Sequence, residues 1–199
     1  MHSIFAENLY WSEDFCELQF AAQTITSKEF EACRFLDCNF SDAVFKHCKF
    51  IDCEFIRCNL SMLVPSYSEF NDVVFKKSKL NGIDWTKISL DNLMANNPFK
   101  FVESMLNDST FFGMALVGLV ASDCKLHRVD FRDGNFTRAD FSASEFTGSL
   151  FNNTNLTEAN FSDALEYDID LNFNKLNNAK FSRVEALRLL THLGINLVD

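Results

Sequence analysis

A bulky apolar residue returns at every fifth position through nearly the whole chain. It runs from Tyr10 through Phe15, Phe20, Ile25, Phe30, Phe35, Phe40, Phe45, Phe50, Phe55 and Leu60. Pro65 interrupts the beat, which resumes with Phe70, Phe75, Leu80, Trp85 and Leu90. One residue then slips the frame, and the beat restarts at Phe101 and persists to Phe181. A period of five fits neither a helix at 3.6 residues nor a flat strand at 2. The pattern predicts a stacked repeat in which each unit gives one residue to a common core.

Two places before each beat the residue is small, as at Cys33, Cys38, Ala43, Cys48, Cys53, Cys58, Ser78, Cys124, Ala139 and Ser144. Each unit should therefore turn one bulky and one small residue inward and leave three facing water. Blocks such as Ala139-Asp-Phe-Ser-Ala143 and Ala159-Asn-Phe-Ser-Asp163 carry this pattern, and they resemble the pentapeptide-repeat family. The resemblance covers about residues 5 to 181. It implies an all-β solenoid, a right-handed quadrilateral β-helix with four units and about twenty residues per coil. At roughly 4.8 Å between stacked strands, about nine coils make a rod on the order of 40 Å long.

The repeat domain is expected over residues 1–182, with the frame slip at about 91–100. Pro98 lies in the slip and cannot donate a ladder hydrogen bond, so a bulge, a kink or a small loop is expected there. Around Leu165–Leu171 Glu166 falls on a beat meant for Phe or Leu, so this stretch is expected to leave the coil. Residues 183–199 read as a cap. A short α-helix over Arg183–Leu193 is followed by a left-handed stop at Gly194 and a strand-like Ile195–Val198. Leu187, Leu190, Leu193, Ile195 and Leu197 are too many apolar residues for one small helix to hide. They predict a homodimer through this end, with capping within the chain as the alternative.

Composition narrows the chemistry. The 23 Phe are core residues rather than an aromatic binding surface. Of the seven Cys, all but Cys16 follow the repeat's small inward position instead of zinc-ligand spacing, and unpaired thiols in that number suit a reducing cytoplasm. The N-terminus has no basic region followed by an apolar stretch, so no signal peptide is expected, nor is any membrane helix. A net charge of −10 argues against direct nucleic-acid binding. Arg57 and Lys77 stand one coil apart above Asp37 and Glu17, as a ladder of weak ion pairs. The four His are scattered and no phosphate-binding loop occurs, so no enzyme activity, metal or cofactor is expected.

Counting one extra residue across the slip places Asp42, Glu103, Asp123 and Asp163 on one outward column. Such fixed carboxylates either imitate the phosphates of a duplex or simply keep an acidic protein soluble. The second half resembles, more specifically, Qnr-type quinolone-resistance proteins. The likeness lies in Ser109–Ala115, Cys124–Phe131, Asn153–Phe161, Tyr167–Leu176, Ala179–Phe181 and Leu189–Ile195. It implies a rod dimerised at its C-terminal end that imitates DNA and binds DNA gyrase or topoisomerase IV. Binding would inhibit the enzyme or protect it from quinolones. The proteobacterial branch carries two projecting loops that protection needs. Here the phase counts only one extra residue between Leu90 and Phe101, so loops of that length are not expected. The alternative function is a non-catalytic scaffold for another cytoplasmic protein.

Overall fold

With one bulky and one small residue inward per unit, five residues build one side of a square coil and turn its corner. The computed structural model describes residues 5–89 and 99–195 and shows this quadrilateral β-helix. On one face the parallel segments Leu9–Trp11, Glu29–Glu31, Lys49–Ile51 and Glu69–Asn71 pair at intervals of twenty residues. The next face stacks Asp14–Cys16, Arg34–Leu36, Glu54–Ile56, Val73–Lys76, Phe99–Val102 and Val120–Ser122. Single bridges extend it through Asp140 and Asn160 to Lys180–Phe181. From Phe15 to Phe181 this face passes nine levels, which are eight full turns.

The core is a set of ring columns. Phe15, Phe35, Phe55, Phe75 and Phe101 stack with centroids 5.0, 4.5, 5.1 and 5.3 Å apart. Neighbouring columns meet edge-on, as Phe30 meets Phe35 at 71°, so the interior uses both favoured aromatic geometries. Pro65 does not interrupt this core. It is buried in the column of Phe45 and Trp85, and the loss is one ladder donor rather than a core place.

The small inward position has a polar duty that the spacing alone does not reveal. Ser144 Oγ accepts the Cys124 N–H at 2.9 Å and donates to the Ala121 carbonyl at 2.8 Å. Ser78 does the same between Cys58 and Phe55, and Ser149 between Val129 and Leu126. Ser144→Ala should lower stability by about 1–3 kcal/mol, because it strands a buried amide. Urea denaturation followed by circular dichroism measures this, and an unchanged midpoint would refute it.

The frame slip is larger than its phase suggests. Ser89 still donates to the Ser68 carbonyl, the register of a twenty-residue coil, whereas Val73 pairs with Phe99 and Phe75 with Phe101. That turn therefore holds 26 residues, six more than its neighbours. A phase count returns only the remainder after division by five, so one whole unit was invisible. The expectation of a single added residue is corrected accordingly; residues 90–98, where the expected bulge falls, lie outside the described residues.

The second irregularity stays in the coil. Glu166 turns outward and Tyr167 takes the core place beside it, fully buried. Burial pushes the Tyr167 hydroxyl up to about 12. Ile169 pairs with Phe151 only 18 residues away, and two extra residues before Lys175 restore its register with Asn155. The distortion seats the C-terminal segment. Arg188 pairs with Glu166 at 2.6 Å and also with Glu185, while His192 Nε2 lies 2.6 Å from Asp168.

That segment winds as a 3₁₀ helix over Glu185–Leu193, not the α-helix expected from residue 183. In a 3₁₀ helix residues three apart eclipse, which sets Glu185 and Arg188 side by side over Glu166. Gly194 closes it in the left-handed conformation, φ 67°.

Candidate functional site

Corners decide what this rod can show to a partner. Two residues after most beats the chain turns with a positive φ, and at most of these corners the N–H donates to a carbonyl of the following coil. Asp, Asn and Gly tolerate that conformation best, whereas branching at Cβ crowds it. None of the described residues with positive φ is Val, Ile or Thr, and Gly82, Gly113, Gly118 and Gly148 hold such corners. All four acids singled out from the sequence are corner residues, with φ of 56° at Asp42, 52° at Glu103, 53° at Asp123 and 59° at Asp163. Their backbones are fixed accordingly: Asp42 N–H reaches Ser61 O at 2.9 Å, and those of Glu103 and Asp123 reach Ser122 O and Ser142 O at 3.0 Å. The Asp163 N–H meets Ser182 Oγ at 2.8 Å, and that hydroxyl donates back to the Asp163 carboxylate.

The structure brings three of the four together. With 26 residues in the enlarged turn, Glu103 stands above Lys77, and the column reads Glu17, Asp37, Arg57, Lys77, Glu103, Asp123, Ala143, Asp163. Asp42 belongs to the neighbouring corner, below Met62, Gly82, Asp108 and Arg128. Its expected place beside Glu103 is corrected by the hidden unit. Within the column Asp37 holds Arg57 at 2.6 Å and Lys77 lies 3.4 Å from Glu103. The Arg57 guanidinium holds the Asp37 carboxyl below the usual range. Among the described residues, no cation lies within 4 Å of the Asp123 or Asp163 carboxylate.

Charge is also unevenly placed along the chain. Residues 1–45 hold eight acids and two bases, residues 46–128 nine and ten, and residues 129–199 eleven and six. The rod thus has two acidic ends and a nearly neutral middle, where Lys76, Lys77 and Lys79 wrap one corner. Nothing in the composition as a whole reveals this division.

Nucleophilic chemistry finds little purchase. Cys33, Cys38, Cys48, Cys53, Cys58 and Cys124 are buried at the small inward position, as the spacing predicts, and Cys16 is exposed. Burial pushes the Cys53 and Cys124 thiols up to about 12, so they stay protonated and unreactive. Among the described residues, no group of three His, Cys, Asp or Glu is placed to hold a metal, and no helix is long and apolar enough to cross a membrane.

The C-terminal end is the second candidate surface. No residue of the 3₁₀ helix is fully buried, and Leu187, Leu193 and Ile195 are 48, 45 and 48% exposed. Leu189, which sequence reasoning passed over, packs against the core, and Leu190 is half-buried. Leu197 lies outside the described residues.

The description "pentapeptide repeat region" matches residues 28–98 and 94–161. Among curated proteins none matches the chain. Of solved structures, full-length QnrB1, a plasmid-mediated fluoroquinolone resistance protein, is similar at 18% identity with a TM-score of 0.67, covering 94% of this chain and all of that one. A trypsin-treated QnrB1 variant is 21% identical with a TM-score of 0.53, over 100% of this chain and 95% of that one. HetL, involved in heterocyst differentiation regulation in Nostoc sp. strain PCC 7120, is 13% identical with a TM-score of 0.50 over 85% of each chain. At these identities the likeness is one of fold.

Proposed function

The chain belongs to the pentapeptide-repeat family, and on that premise we propose that it is a non-catalytic cytoplasmic protein that binds a type II topoisomerase, DNA gyrase, by imitating DNA. The observation that carries this reading is the corner column of Glu103, Asp123 and Asp163. Its backbone is fixed at each corner by a hydrogen bond of the N–H group to the following coil, and two of its carboxylates have no neighbouring cation among the described residues. A partner built to grip phosphates would meet charge carried on an already ordered backbone, with only the side chains left to order. The likeness to QnrB1, itself a fluoroquinolone resistance protein, supports the same reading. A dimer joined through Leu187, Leu193 and Ile195 would set two acidic ends together at its centre.

Titration of the purified protein into a gyrase supercoiling assay, with and without ciprofloxacin, tests it. Inhibition alone or recovery in the presence of drug is expected. Asp123→Lys with Asp163→Lys should weaken the effect at least tenfold without unfolding the rod, since Lys77 already holds this corner conformation at φ 53°. No effect on gyrase or topoisomerase IV would overturn the reading. The nearly neutral middle favours a second one, a scaffold for another protein, because it interrupts an acidic stripe along the rod.

A further inference from the structure

The shortened turn leaves a recess on one face of the rod. Ascending this face, the levels are Thr110–Phe112, Asp130–Arg132, Leu150–Asn152 and then Asp168–Asp170. Because Ile169 meets Phe151 two residues early, the last level is displaced against the 3₁₀ helix. An open depression of about 540 Å³ results, floored by Phe112 and Leu150, which are 47 and 46% exposed. Its rim carries Asp133, Asp168 and Asp170 together with Arg132 and His192.

The charges on that rim are not equivalent. Asp130 holds Arg132 at 2.8 Å, and the guanidinium lies 5.8 Å from the Phe112 ring centroid, so this cation is already neutralised. His192 lies against Asp168 at 2.6 Å and Asp170 at 3.8 Å. Asp133 meets no cation within 4 Å among the described residues; its carboxylate accepts from the Asn153 amide at 2.7 Å. Three carboxylates thus surround an apolar floor with one neutralised guanidinium and one imidazole. Beyond Asp133 the recess continues into a ledge of Asn152, Asn153, Asn155, Asn172 and Asn174 beside the exposed Phe173.

We infer that this recess is the docking site for a cationic, amphipathic protein segment. An arginine or lysine stem lies along Leu150 and Phe112, its charge sits among Asp133, Asp168 and Asp170, and the Asn ledge meets the segment's backbone. Long cationic side chains suit such a site because the stem buries against apolar surface while the head stays among carboxylates. The inference deepens the topoisomerase reading, and rests on it only for the partner's identity; it places one contact on a face distinct from the corner column.

The test uses the full-length ¹⁵N-labelled protein and a hexapeptide alternating arginine and leucine as probe. Amide shifts concentrated at Phe112, Asp133, Leu150 and Asp168 are expected, and Leu150→Arg should weaken the peptide at least tenfold. Tyr67→Ser, an exposed change elsewhere, should leave its binding unaltered. Shifts spread equally over the acidic residues 1–45, or undiminished binding by Leu150→Arg, would overturn the inference, since general acidity would then account for binding. Conversion of a wild-type dimer to monomers by Leu150→Arg would also overturn it, by giving the recess to a second copy of the chain. Gyrase capture, run in parallel, decides the topoisomerase reading separately.

Discussion

Phe55→Ala is expected to lower stability by about 3–5 kcal/mol, the range for emptying a buried aromatic site. Phe55 is fully buried between Phe35 and Phe75, with near-parallel rings 4.5 and 5.1 Å away, and it meets Phe50 edge-on. In a solenoid each coil touches only its neighbours, so a hole at one level weakens the coupling between the two lengths on either side. Unfolding in urea should therefore show the coils before Phe55 melting ahead of those after Phe75. Limited proteolysis should likewise trim the N-terminal side first. A single transition at the wild-type midpoint would mean that the ring column does not couple the coils.

Leu187→Asp is expected to convert a dimer into monomers of 22.8 kDa by multi-angle light scattering. The 3₁₀ helix is tied to its own rod mostly through polar contacts, Arg188 to Glu166 and His192 to Asp168, while Leu189 alone of its leucines packs against the core. Its outward leucines thus remain for a second copy, and a two-fold contact would bury the same residues on both. Since Leu187 is half-exposed, the thermal midpoint of the monomeric variant should fall by only a few degrees, whereas an aspartate in a true core would unfold the chain. A wild-type protein that is already monomeric would support capping within the chain instead.

How much of this was legible depended on period. Beat residues such as Phe35, Phe75 and Phe131 announce themselves because burial repeats identically at every unit, and Cys33 to Cys58 follow for the same reason. The six-residue enlargement does not, because a five-residue beat absorbs a whole added unit silently, and Asp42 therefore stands one corner away from the column the phase count gives it. Pro65 reads as a gap in the beat, yet it is buried in the core column, and what it lacks is a backbone donor. Glu166 breaks the pattern without taking its stretch out of the coil, and nothing in the sequence marks it as the seat of Arg188, since that contact joins residues 22 apart with no repeat to signal it. The left-handed corners were readable in hindsight: Gly82, Gly113, Gly118 and Gly148 all lie two places past a beat.

Those corners separate two properties that most proteins bind together. Their φ excludes branching at Cβ but is indifferent to sign of charge, as Asp37, Arg57, Lys77 and Glu103 succeed one another on one column. Single substitutions among Asp, Glu, Asn, Lys, Arg and Gly at every fifth residue can therefore rewrite the surface potential while the ring columns beneath stay untouched. A lineage carrying this fold can drift toward new partners one corner at a time, with little selection against the intermediates.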